Sequence, residues 1–349
     1  MTGHIHLQYD DAGAPILEDH HGTGVAIPDV TAGGIAEAIA LAESLRRPLI
    51  ADGWSDPVPL SRRIRFGSTC GLHYEFRGLS VISSAPEAAL SFDAPVFPRI
   101  DWSGLFTYIG TGTEAVLFDP QTQAPGIFGT AGGGRIHKHG QIHLPFVYVD
   151  KDHIPPGQAP TSVYRFRDNN HALVDMRIIM DGVHGGQITP RCITVENPGT
   201  DAVNDNAFGE CDIDFGFLGG FTLVGLQAGM SDIDHTKTPM VATNWKGAIN
   251  ADGALNADGS VNTLHKITAY VATFAEHDDY DIRSMSVNVG GAQYGMLCNS
   301  SAVGCTGKLP QIQADNSVYF GGSKCVFLAP DIGPSGPAIG LGVNGNRFI

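Results

Sequence analysis

Charge is scarce in this chain. Asp, Glu, Lys and Arg together make up 16% of its 349 residues, against a typical ~25%. That excludes a helical bundle or coiled coil, which would be rich in Glu, Lys and Arg. Basic residues are scarcest: 21 Lys and Arg face 36 Asp and Glu, a net charge of −15. Such a balance argues against nucleic acid or an anionic membrane as partner and leaves a glycan open. No apolar run reaches the ~18 residues of a membrane span, so no membrane insertion is expected. Met1 to Asp11 lacks a basic stretch followed by an apolar one, so no secretion signal is expected either. CxxC pairs are missing. The six cysteines, at 70, 192, 211, 298, 305 and 325, are too dispersed for a disulfide scaffold. They read as small core residues in a chain folded in a reducing compartment, with a Cys298–Cys305 bridge left open. GxxxxGK[ST], GxSxG and HExxH are absent, as is GxGxxG after a strand.

Glycine, by contrast, is abundant at 45 residues, about 13% of the chain against a typical ~7%. With 42% hydrophobic residues the chain can bury a core. This profile predicts a turn-rich, all-β protein. One helix stands apart. Asp29 or Thr31 can cap it, Ile35, Ala38, Ile39, Ala42 and Leu45 give it an apolar face, and Pro48 stops it. After Pro48 short segments alternate apolar and polar residues: Leu72–Phe76, Val174–Met180, Cys211–Phe215 and Met285–Val289. A period of two puts the apolar members on one face of a strand. Ile136 to Val149 reads as one further strand. Asn250-Ala251-Asp252-Gly253 and Asn256-Ala257-Asp258-Gly259 echo each other within 244–262 and predict a protruding loop or hairpin. Three regions follow: an N-terminal arm over 1–28, a capping helix with its β body over 29–329, and a Gly/Pro-rich tail or cap over 330–349.

The segment from Gly24 to Phe92 resembles the start of the right-handed parallel β-helix in phage tailspikes and pectate-lyase-like proteins. Gly34–Glu43 matches their Ala-rich capping helix, Pro48–Gly53 the strand and turn that follow, and Ile64–Gly67 and Phe76–Ile82 their first rungs. Trp54-Ser55-Asp56-Pro57 departs from the Gly-Thr-Tyr usual at that point. The resemblance implies a right-handed parallel β-helix, or solenoid, of roughly ten coils assembled as a homotrimer. A β-sandwich or jelly roll is the alternative.

Several clusters could carry chemistry. If Cys211, Ile213 and Phe215 point inward, Glu210, Asp212 and Asp214 share the outer face. Alternate residues there lie ~6.8 Å apart, within the ~6.5–9.5 Å separating the carboxylates of inverting glycosidases. A solubilised sheet face explains them as well. Asp278, Asp279 and Asp281 form a second acidic cluster. His137, His139 and His143 fall on one face of the 136–149 strand, where histidines can ligate a metal. His4-Ile5-His6 resembles the His-x-His pairs with which trimeric phage fibres hold a transition-metal ion on their threefold axis. Trp54, Trp102 and Trp245 are candidate sugar-stacking platforms, with Tyr108 and Tyr270 behind them.

The resemblance implies a bacteriophage virion protein, a tail spike or fibre. It would be made in the host cytoplasm, join other virion proteins through its N-terminal arm and recognise a host surface glycan. Two alternatives stand: a polysaccharide depolymerase (hydrolase or lyase) acting through Glu210, Asp212 and Asp214, and a capsid decoration or head-fibre protein.

Overall fold

The computed structural model describes residues 6–9, 15–18, 32–45, 48–51, 56–66, 72–92, 99–119, 135–138, 140–167, 171–196, 208–229, 240–241, 243–298, 302–309, 311–328, 331–332, 339–341 and 347–348. Almost all described secondary structure is strand, and almost all strands pair in parallel. The chain runs repeatedly through three parallel ladders. The first ladder stacks Leu49–Ala51, His73–Phe76, Arg99–Trp102, Gln141–Leu144 and Arg177–Met180. It continues through the start of Asp212–Ala228 to Thr306–Lys308, Val326–Leu328 and Arg347–Phe348. The second begins at Val58–Leu60 and Val81–Ser83, and the third at Ile64–Phe66 and Leu90–Phe92. Each pass through the three ladders is one rung. The long strand Asp212–Ala228 contributes to all three within one rung. The ladders stay open, so the result is a solenoid-like column. The antiparallel ladders of a sandwich are not what holds it together.

Inward-facing side chains repeat from rung to rung. Tyr74, Ile100, Ile142, Ile178, Ile213, Trp245 and Tyr280 form one registered, fully buried column of the first ladder. In the third ladder Phe66, Phe92, Phe118 and Phe166 stack with ring centroids 4.9, 4.3 and 4.5 Å apart. Those spacings approach the ~4.8 Å between paired strands, so register forces the rings into contact. Each stacked pair adds about 0.5–1.5 kcal/mol beyond the burial of its area.

The helix spans Ala32–Leu45 and packs on the first rung, against Leu49–Ala51, Val58–Leu60 and Ile64–Phe66. Ile35, Ala38, Ile39 and Ala42 are buried as their spacing predicts, but Leu45 is 50% exposed. A single rung is too narrow to cover the last turn of the helix. An apolar helix laid there covers strand edges that would otherwise invite pairing.

Three expectations change. Val174–Met180 is not one strand: Asp175, at φ +56°, separates His171–Val174 from Arg177–Met180, and the two belong to different sheets. Residues 136–149 likewise split into Arg135–Lys138, Gln141–Leu144 and Phe146–Val149. Arg135–Lys138 and His171–Val174 pair with Phe208–Gly209 and Met240–Val241 in a small parallel sheet of their own. Within the segment expected as a tail or cap, Asp331–Ile332, Ile339–Leu341 and Arg347–Phe348 add in register to the three ladders. In the segment expected as an arm, His6–Tyr9 pairs antiparallel with Pro15–Glu18.

Candidate binding cleft

Where the connection between the first and second ladders is described throughout, it is at most four residues long. Between the second and third, two rungs carry long loops, 150–161 and 252–266. Between them lies a cleft of about 660 Å³ floored by Gln187, Ile188, Pro190 and Thr222.

The 150–161 wall is held by its own turns. Asp150 Oδ1 accepts from the Asp152 amide at 3.1 Å, and its Oδ2 lies 2.7 Å from His153 Nδ1. Lys151 Nζ sits 3.5 Å from Asp152 Oδ1, and both side chains reach the cleft together with Pro155 and Pro156. The opposite wall is a short hairpin closed by an antiparallel bridge between Leu255 and Val261. The Asn256 amide donates to Ser260 O at 2.8 Å, and the Gly259 amide to Asn256 O at 3.0 Å. Asn262 Oδ1 accepts from the amides of Leu264 and His265 at 3.0 and 3.1 Å. This is the loop that the Asp-Gly echo marks, although Asn244–Ala251 before it is a strand of the body.

Two histidines fix this wall to the floor. His265 Nε2 lies 2.6 Å from Thr222 O. A carbonyl only accepts, so Nε2 carries a proton. His184 Nδ1 accepts from the Gly186 amide at 3.1 Å, so its Nε2 donates to Asp252 Oδ2 at 2.7 Å. Asn288 Nδ2 donates to Asp252 Oδ1 at 2.8 Å, and Gln187 Nε2 to Asp252 O at 3.3 Å. Gly186 and Gln187 are both left-handed, φ +65° and +64°, within an irregularity that shifts the register between His184 and Thr189. That bulge aims Gln187 at the loop. Gly290, at φ +91°, lies so close to His265 O that a Cβ would sit 2.0 Å from it.

The cleft thus mixes short polar groups (Asn256, Asn262, Gln187, Thr222), one cation, one carboxylate and an imidazole with apolar walls of Ile154, Ile188 and proline. Its chemistry is hydrogen bonding to a polyhydroxylated or amide-bearing ligand, with van der Waals contact to the ligand's apolar face.

The residues singled out in the sequence lie elsewhere. Cys211, Ile213 and Phe215 do point inward, leaving Asp212 and Asp214 outside, but both are engaged. Lys246 Nζ is 3.0 Å from Asp212 Oδ1, and Asp214 Oδ1 accepts from the Gly216 amide at 3.0 Å. Glu210 sits in a bend before the strand at φ +52°, outside the alternation. Trp102 and Trp245 are core residues, 1% and 0% exposed, so neither face is open to a sugar. Their indole N–H groups donate inward, Trp102 to Leu79 O at 2.8 Å and Trp245 to Asp278 Oδ2 at 3.0 Å. Tyr108 and Tyr270 are buried too. Trp54, His4 and His139 lie outside the described residues, as do the side chains of His6 and His137. His137 and His143 stand in different sheets, so no single strand face carries the three histidines, and His143 Nε2 is 2.8 Å from Asp181 Oδ1. Among the described residues no group of three or more His, Cys, Asp or Glu is placed to hold a metal ion. Cys298 and Cys305 are free thiols. No described helix is long and apolar enough to cross a membrane.

Asp278 departs most from expectation. It is fully buried, while Asp279 and Asp281 of the same acidic cluster are exposed. Its Oδ1 accepts from the Thr243 amide at 3.0 Å, and its Oδ2 from Trp245 Nε1 at 3.0 Å. Tyr280 Oη lies 3.2 Å from Oδ2 and 2.7 Å from Thr273 Oγ1. Burial pushes the carboxyl up to about 7 in spite of these donors.

No known protein family, curated protein or solved structure matches the chain. The functional reading therefore rests on the column and its cleft.

Lys151, Asp152, Gln187, His184, Asp252 and His265 escape a reading of the sequence. They come from three rungs and share no motif. Pro155-Pro156-Gly157 marks the first wall only as a turn.

Proposed function

We propose that this chain is the surface-binding body of a bacteriophage tail spike or fibre, a right-handed parallel β-helix that gathers as a homotrimer in the virion and grips a host surface glycan. The cleft between loops 150–161 and 252–266 carries this reading. It is a polar groove with apolar walls, raised on a rigid column and rooted in the column by His184 and His265. Sugar hydroxyls suit its mixture of amide, carbonyl and imidazole groups, and the net charge of −15 suits a neutral or cationic glycan. The capping helix on the first rung supports the tailspike likeness, and the arm before it would join other virion proteins. Binding without cleavage is the reading favoured, because Asp212 and Asp214 are engaged on a different face.

The test is a binding titration of the purified chain against host capsular polysaccharide and lipopolysaccharide, with a reducing-sugar assay and native mass measurement alongside. A trimer that binds one of these without releasing reducing ends, and that loses at least tenfold in affinity on His265→Ala or Lys151→Ala, is the expected result. Reducing-end release would turn the reading toward a depolymerase. A monomer that binds none of them would overturn it.

A further inference from the structure

Aromatic rings cover bare glycines on the outer face of the second ladder. Val147, Val149, Val183, Leu218 and Ile249 fill the core there, so their neighbours Phe146, Tyr148, His184, Phe217 and Asn250 point outward. Gly182, Gly219 and Gly220 are buried beneath the rings. A Cβ on Gly182 would sit 2.6 Å from Phe146 Cδ2, one on Gly219 2.7 Å from Phe217 Cζ, and one on Gly220 2.5 Å from His184 Cε1. Each ring thus takes the space of a missing side chain, and nothing from those glycines stands between it and solvent. The Tyr148 ring joins them, its centroid 5.3 Å from that of His184. All four rings are half-buried.

The rings form a track along the column. Thr107, Tyr148, His184, Gly219, Asn250 and Ser286 follow one another in register, and Leu105 registers on Phe146 beside them. At its early end the track continues in Ile82 and Leu105, 39% and 44% exposed. At its late end Asn250 Oδ1 accepts from Ser286 Oγ at 2.6 Å. The track borders the cleft, because Tyr148 leads into Asp150 of one wall, His184 into Gln187 of the floor and Asn250 into Asp252 of the other wall. A second copy of the chain fits it poorly. Two outward positions per strand give a width of ~6.8 Å, and the rungs from Ile82 to Phe217 a length of ~19 Å. Those ~130 Å² fall far below the ~800 Å² that each partner buries in a standard protein interface. A linear ligand one ring wide matches the strip.

We propose that this track is a stacking site that extends the cleft, on which Phe146, Tyr148 and Phe217 hold the pyranose rings of a glycan running parallel to the column. The proposal rests on the glycan-binding reading above and adds where, and by which sugar face, the chain is held. A pyranose with equatorial hydroxyls turns C–H bonds to its two faces. Those hydrogens carry partial positive charge, and the face of an aromatic ring is negative. The sugar's hydroxyls then lie at the rim, where Asn250, Ser286 and the Tyr148 hydroxyl offer hydrogen bonds. The rungs space the rings along the column axis, so they line up under a glycan lying along that axis. Sugars with an unbroken C–H face are the class that fits.

The experiment titrates the full chain with host capsular polysaccharide and lipopolysaccharide, and compares Phe146→Leu, Tyr148→Leu and Tyr148→Phe with the parent. Leucine keeps each position apolar and removes only the aromatic face. Both leucine variants should lose at least tenfold in affinity, while Tyr148→Phe stays within threefold of the parent. In the unsubstituted protein, bound glycan should slow nitration of Tyr148 by tetranitromethane at least fivefold and leave Tyr319, 42% exposed, unchanged. A glycan that depends on His265 yet is held equally by the leucine variants, with Tyr148 unprotected, would overturn the track and leave the cleft reading standing. Leucine variants that fall from trimer to monomer in native mass would assign the strip to subunit contact and overturn it as well. A chain that binds none of these glycans overturns both readings. The nitration map decides the matter even where a variant does not fold.

Discussion

Replacing Asp278 by asparagine should make the stability curves of variant and parent cross as pH changes. The Asp278 carboxyl is pushed by burial from its ordinary 3.8 to about 7. Below pH 3.8 it is neutral in both folded and unfolded chains. Between these values the unfolded chain releases its proton while the folded one keeps it, so rising pH removes about 1.4 kcal/mol of stability per pH unit. Above pH 7 the loss is complete, at about 4 kcal/mol. Asparagine is neutral throughout, but it cannot satisfy the site. Thr243 N and Trp245 Nε1 only donate, and each meets a different oxygen of Asp278. An amide NH₂ must therefore face one of them, at a cost of about 1–3 kcal/mol. Taking about 2 kcal/mol for that clash, Asp278→Asn is less stable than the parent by about 2 kcal/mol at pH 4 and more stable by a similar amount at pH 8. The curves cross near pH 5, by the same ~1.4 kcal/mol per pH unit. Urea unfolding followed by tryptophan emission measures this directly, since Trp245 donates to Asp278 and reports its surroundings. The difference between the two proteins isolates the one group from every other carboxylate. A variant with the parent's pH slope, or one less stable at every pH, would refute the reasoning.

Phe118→Ala removes the ring stacked between Phe92 and Phe166 and should lower unfolding free energy by about 3–5 kcal/mol; a loss under about 1 kcal/mol by denaturant titration would mean that the stack contributes little. Gly290→Ala forces a Cβ onto His265 O in a left-handed backbone, so the 252–266 loop must shift. Glycan affinity should then fall at least as far as in His265→Ala, with the far-ultraviolet circular dichroism of the column retained; unchanged affinity would detach Gly290 from the shape of the cleft.

Much of the fold is legible in local pattern. Alternation at Leu72–Phe76 and Cys211–Phe215 states which side chains enter the core, because a strand has only two faces. The helix is legible for the same reason, at a different period. Strand breaks are less so. Asp175 turns the chain between two sheets with a left-handed backbone that short alternating segments do not announce. Burial is legible for apolar residues and misleading for Asp278, where the polar partners Thr243 and Trp245 come from the neighbouring rung. The cleft is the least legible part. His184 and Asp252 stand 68 positions apart in the chain, and only the stacking of rungs brings them to 2.7 Å.

Successive layers of the column are never far apart in sequence. Arg99 registers on Gln141, Thr306 on Val326, and the other first-ladder steps fall between those spans. Closure of each layer needs only the layer before it, so no contact of the column has to wait for the whole chain. At the ~5–20 residues per second of synthesis, a nascent chain completes a layer every few seconds. The column can thus be laid down vectorially on the ribosome, each finished layer serving as the template on which the next one pairs.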